Sequence, residues 1–264
     1  MRDAALLVDE LDFDWLLTSD HLIASGDHDP DPGGPIYEAW QLVAGWAALT
    51  RRVHVGVMVS GVVLRHPALL AKMAITLDHV SGGRAICGIG AGWFGDEAAA
   101  LGIAWPRRGE RLDRLEEEAA IVRSLFDQPR TNFNGRHYRL TDASAAPKPI
   151  QPHLPLLIGG GGEGRTLRIA ARYADIWNGF GPPATIARKI DLLHRYCGEI
   201  DRDPSTVIPT VSVMLDPGEE PGAIANRLRA YHDVGAGGVI VDLPAPYDLT
   251  LLRRVADVRR HLNP

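Results

Sequence analysis

Short apolar runs alternate with longer amphipathic stretches along almost the whole chain. Residues 14–18 (DWLLT) read as a strand that runs out into Ser19, Asp20 and His21. Residues 38–50 carry helical spacing, and the Val-rich run 53–61 (VHVGVMVSG) reads as a strand buried on both faces. Residues 67–81 predict a helix with Pro67 in its first turn, where a missing N–H costs nothing, and Gly82-Gly83 close it. A further strand is expected at 84–92 and a charged amphipathic helix at 107–126. The rhythm breaks at 133–140, where Asn134-Gly135 between aromatic-rich flanks predicts a β-hairpin, followed by the proline-rich connector 146–155. Strands are then expected at 155–160, 174–179, 207–215 and 237–244, alternating with helices at 164–173, 184–200, 221–235 and 249–262.

Strands written as continuous apolar runs belong to a parallel sheet covered on both faces. Seven of them outside the hairpin predict an α/β fold, an eight-stranded (β/α) TIM-type barrel, as one domain over residues 1–264. The barrel is one strand short at its start, because residues 1–13 read as the tail of a helix with no strand before it.

Composition narrows the function classes. With 264 residues, 45% hydrophobic and 23% charged, the chain has the profile of a globular enzyme-sized domain. A net charge of −5 without a basic stripe disfavours nucleic acid as a partner. Two cysteines, no leader pattern and no long apolar run lead to the expectation of a cytoplasmic protein away from membranes. His28 between Asp27 and Asp29 reads as a polar loop cluster, and no metal-ligand spacing is found.

In a (β/α) barrel the chemistry lies where strands end. His21 follows the first strand and is the candidate acid or base, with Asp20 to orient it or to bind a ligand hydroxyl. Glu97 follows a glycine-rich strand end and is a second catalytic candidate, to meet substrate or to cap a helix. Gly159, Gly160, Gly161 and Gly162 sit between a strand and a helix, where bare backbone and spare N–H groups form an anion site. Arg165, in the first turn of that helix, is expected to pair with a phosphate there. The pattern fits a dinucleotide fingerprint poorly, with no acidic residue at the next strand end.

These segments resemble a known family. DFDWLLTSDHL, the series RHPALLAK, LDHVSGGR and GIGAGW, the helix RRGERLDRLEEEAAIVRSLF, and LLIGGGGEGRTLRIAARYADIWN are similar to the luciferase-like flavin and deazaflavin oxidoreductases, in the branch that uses coenzyme F420. The resemblance implies a ring pocket at the strand ends, with His21 beside the reactive face and the four glycines at the cofactor phosphate. It implies that Asp20, Ser60 and the turn Gly90 to Gly92 line the ring and its tail. A non-prolyl cis peptide is expected behind the ring at Val57-Met58. The implied activity is hydride transfer between the deazaflavin and a small organic substrate, by a homodimer. Trp93, Phe94, Trp105 and Phe180 are expected to give the substrate an apolar lining. Two alternatives stand beside this reading: an FMN-dependent monooxygenase of the same family, and a truncated cofactor-binding protein without activity.

Overall fold

The computed structural model describes residues 1–24, 34–243 and 247–262. The cluster around His28 lies outside the described residues. The chain opens with helix α1 (Arg2–Glu10), followed by β1 (Trp15–Thr18), α2 (Ala39–Leu49), β2 (His54–Gly61), α3 (Pro67–Ser81) and β3 (Ala85–Gly90). A short α4 (Gly95–Ala100) and the long α5 (Arg108–Asp127) come next. Then β4 (Thr131–Asn134) and β5 (Arg139–Ala143) pair antiparallel as a separate two-stranded sheet. The alternation resumes with β6 (Leu156–Gly159), α6 (Arg165–Tyr173), β7 (Ile176–Gly179), α7 (Pro183–Gly198), β8 (Ile208–Met214), α8 (Pro221–Asp233), β9 (Gly238–Asp242) and α9 (Leu249–Leu262).

The main sheet has seven strands in the order β1-β2-β3-β6-β7-β8-β9, and every pairing is parallel. All strand C-termini therefore open on one side of the molecule. Within this sheet β1 and β9 each have one neighbour. Their residues are uniformly half-buried, whereas β3, β6 and β7 are buried throughout.

Alternation sorts the strand side chains onto two faces. Val55, Val57, Cys87, Ile89, Leu156, Ile158, Trp177, Val211 and Val213 join the large core beneath the helices. Ile86, Leu157 and Ile176, with Trp15, Leu17, Met58 and Val59, form a second, inner cluster. Local signals set the helix ends. The His66 Nδ1 accepts from the Ala68 N–H at the start of α3, and Gly82 closes that helix at φ 69°. On the opposite rim, buried Asp78 accepts from the Ile150 and Gln151 amides and from the Gln151 side chain, tying α3 to the segment that leads into β6.

Candidate active site

Two polar corners occupy the strand-end face. The first surrounds Asp20, which is 3% exposed. Its Oδ2 accepts from Ser60 Oγ at 2.6 Å, and Arg65 donates to both carboxylate oxygens. Ser60 Oγ in turn accepts from Trp40 Nε1 at 2.9 Å, and Arg65 also pairs with Glu38. The carboxylate is thus a buried joint between the chain ends that follow β1 and β2. It does not touch the His21 side chain, which has a different carboxylate partner.

That partner is Glu97, in the first turn of α4 and 5% exposed. Its Oε2 stands 3.1 Å from His21 Nδ1, while Oε1 accepts from the Leu22 and Ile23 amides. A carboxylate oxygen only accepts, so Nδ1 carries the hydrogen and the neutral imidazole presents Nε2 as an acceptor. Trp93 and Phe94 stack on each other at 5.1 Å and both meet the imidazole edge-on, at 5.5 and 5.8 Å between ring centres. Trp93 and Phe180 are both exposed, at 62% and 55%. Trp105 packs against Gly92 and Gly95, under the Arg111 guanidinium.

The expected cis peptide is one bond further along than the sequence reading put it. It lies at Met58-Val59, where the β2–β3 register shifts between Val57 and Ser60. The shift turns two consecutive side chains, Met58 and Val59, to the inner face. Val57 keeps to the alternation and faces the helical layer, fully buried, so it does not line the inner cavity. Val59 fills the space left by glycines on two neighbouring strands: a Cβ on Gly90 would stand 2.5 Å from its Cγ2, and one on Gly159 2.9 Å from its Cγ1.

The four glycines accordingly divide their work. Gly159 belongs to β6 and makes room for Val59. Gly160 is pinned across the sheet, its amide donating to the Asn178 carbonyl at 3.0 Å and its carbonyl accepting from Trp177 Nε1 at 3.0 Å. Neither has an amide left for an anion. Gly161 and Gly162 do: among the described residues their N–H groups have no acceptor, and α6 behind them has no side-chain cap. Arg165 is not at this loop. Its guanidinium is 42% exposed and donates to Asp113 and the Gly109 carbonyl on α5. A cation at the loop that sequence reading missed is Lys189 on α7, whose Nζ lies 2.6 Å from the place of a Gly161 Cβ. Thr166 Oγ1 and Arg108 Nη2 lie 2.7 and 3.7 Å from the place of a Gly162 Cβ.

The inner face between β7 and β9 is polar. Asn178 Nδ2 donates to Thr210 Oγ1 at 3.2 Å, Thr210 Oγ1 donates to the Trp177 carbonyl, and Ser212 Oγ donates to Asn178 Oδ1 at 3.4 Å. Asp242 ends β9 on the same face by alternation, and burial pushes its carboxyl up to about 6. A surface groove of about 600 Å³ between α8 and α9, lined by Arg229, Arg253, Arg254 and His261, lies on the helical shell. It is apart from these groups, and the convergence of strand-end side chains outweighs its size as a guide to chemistry.

The chain is similar to known proteins in sequence and in fold. The sequence profile described as luciferase-like monooxygenase matches residues 1–251. An uncharacterized protein of Mycobacterium tuberculosis (strain H37Rv) is 30% identical over 207 residues, covering 78% of this chain and 70% of that protein. A protein named F420-dependent glucose-6-phosphate dehydrogenase, from Nakamurella multipartita, is 34% identical over 176 residues, covering 66% of this chain and 50% of its own length. The solved structure of an F420-dependent secondary alcohol dehydrogenase in complex with an F420-acetone adduct superposes with a TM-score of 0.80, at 18% identity, over 91% of this chain and 87% of that one. The chain belongs to the luciferase-like monooxygenase family.

Proposed function

We propose that this chain is a coenzyme F420-dependent oxidoreductase acting on a small organic substrate at the strand-end face. The observation that carries the proposal is a pair of unspent amides, Gly161 and Gly162, beside the buried Lys189, on the same face as an imidazole whose Nε2 is left as an acceptor. The cradle fits a phosphate, because a side chain at Gly161 would fill it. The named activities of the Nakamurella relative and of the alcohol dehydrogenase support F420 as the cofactor. Gly161, Gly162, Thr166 and Lys189 would hold its phosphate, and Met58, Val59, Gly90 and Gly92 would stand behind or beside its ring. When bound, this cofactor supplies a two-electron hydride donor or acceptor.

The protein's own share is proton handling and exclusion of water. His21 Nε2 takes a proton from the substrate or returns one, while Glu97 holds the ring and its tautomer. Trp93, Phe94 and Phe180 offer an apolar rim, and Asn178, Ser212 and Asp242 offer polar groups further in. This combination suits a substrate with one hydroxyl or carbonyl on an apolar frame.

The half-buried edges of β1 and β9 support the remaining part of the proposal, an eight-stranded barrel lacking its first strand. A cytoplasmic homodimer completes it, and sedimentation equilibrium tests the dimer. Among the described residues no helix is long and apolar enough to cross a membrane. The cofactor is tested by titrating the purified protein with F420 and with FMN and following fluorescence. Saturable F420 binding is expected. Tight FMN binding with none for F420 would replace the proposal by the flavin monooxygenase alternative.

A further inference from the structure

Lys189 stands where the sequence pattern of α7 calls for an apolar residue. It lies between Ile186, Ile190 and Leu193, which are buried in the core, and is itself only 8% exposed. A buried ammonium without a counter-charge is costly, and removal from water draws the Lys189 pKa down. Among the described residues its only hydrogen-bond acceptor is the Phe180 carbonyl, at the long distance of 3.4 Å. Glu163 on the loop draws the Lys189 pKa the other way, but its carboxylate pairs with Arg188, whose charge opposes it. Among the described residues no carboxylate makes a direct ion pair with the Lys189 ammonium, which is therefore only partly offset.

The surroundings point to what does neutralise it. The Nζ lies 2.6 Å from where a Gly161 Cβ would be. The same loop carries the unspent amides of Gly161 and Gly162 and leads into the uncapped N-terminus of the nine-residue α6. Thr166 Oγ1 and Arg108 Nη2 flank the same loop. Amide donors, a helix terminus, a hydroxyl and two cations from α5 and α7 converge on one backbone segment, and all of them favour an oxyanion.

We infer that Lys189 is the buried counter-charge for the cofactor phosphate, and that it makes the protein select phosphorylated cofactors over their phosphate-free forms. The inference rests on the proposed cofactor site and adds to it the residue that reads the phosphate. A strut for the Phe180 carbonyl is the competing role.

Two matched pairs of probes separate these roles: F420 against its phosphate-free deazaflavin riboside, and FMN against riboflavin. Lys189→Met keeps the length of the side chain and removes the charge, and Lys189→Arg restores a cation. The wild type is expected to bind the phosphorylated member of its preferred pair more tightly. Lys189→Met is expected to lose about 10- to 100-fold of that affinity, the scale of a charge-assisted hydrogen bond, with the phosphate-free member unchanged. Lys189→Arg is expected to recover part of the preference. Removing a buried charge is expected to leave the melting temperature unchanged or higher, which guards against misfolding as the cause. Equal loss for both members of a pair, or no loss for either, overturns the inference. A wild type that binds neither deazaflavin overturns the F420 reading separately, and the FMN and riboflavin pair then decides the role of Lys189 by the same criteria.

Discussion

Two polar clusters on the strand-end face, one around Asp20 and one at the Gly161–Gly162 loop, differ in what is left over. Around Asp20 every strong group is used: the carboxylate by Ser60 and Arg65, the serine by Trp40, and the guanidinium by a second carboxylate, Glu38. Around Gly161 and Gly162 two amides and a helix terminus have no acceptor among the described residues, and a buried ammonium has one long hydrogen bond. A saturated polar cluster fixes loops in place, and the unsaturated one is where the proposed cofactor phosphate would bind. His21 combines both conditions, with Nδ1 spent on Glu97 and Nε2 without a partner among the described residues.

Changes at the open half of His21 are expected to cost the most. His21→Ala should lower turnover roughly 10²- to 10⁴-fold, the range of general acid–base catalysis, with F420 affinity retained. Steady-state rates with any accepted alcohol or carbonyl substrate check this, and unchanged turnover removes His21 from the proton transfer. At the saturated corner the effect belongs to stability. Asp20→Ala leaves the Arg65 charge short of its buried partner and should cost about 3 kcal/mol in urea unfolding. A loss under about 1 kcal/mol would mean that the corner is no structural joint.

Glu97→Gln tests the join between the two conditions. The amide can still accept from Leu22 and Ile23, yet it donates to Nδ1 and so moves the hydrogen to Nε2. Turnover is expected to fall about 10- to 100-fold while the fold is kept. An equal loss of melting temperature and activity would reduce Glu97 to a loop tie.

Glu118 limits the comparison, because an unsatisfied group away from the strand ends is no site. It is 1% exposed in the helical layer, with Oε2 unpartnered among the described residues, and burial pushes its carboxyl up to about 8. The folded state therefore binds more protons than the unfolded one between about pH 4.5 and 8. The stability that this group contributes is complete below pH 4.5 and is lost as pH rises towards 8, by up to about 1.4 kcal/mol per pH unit. Glu118→Gln should flatten that slope in unfolding curves recorded across the window. An unaltered slope would place the titration elsewhere.

Much of the architecture is legible in the sequence, because it rests on local signals. Pro67 and Gly82 bound α3 as their backbone preferences require, and the Val-rich run of β2 reads as a buried strand. The inversion at Met58 and Val59 is not legible, since it depends on Gly88, Gly90 and Gly159 standing opposite on other strands. The glycine run announces an anion loop, but its division between Gly160 and Gly161 follows from a bond to Asn178 across the sheet. Nearness in sequence favoured Arg165, which the fold turns towards Asp113, while Lys189 arrives from a later helix. The Glu97–His21 contact joins residues 76 positions apart, a pairing that only the shared end of a parallel sheet reveals.

A crystal structure of the protein soaked with F420 tests the central claim most directly. The cofactor phosphate is expected within hydrogen-bonding distance of the Gly161 and Gly162 amides and Lys189 Nζ, with the ring on the strand-end face beside His21. A phosphate seated elsewhere, or a ring away from His21, would contradict it.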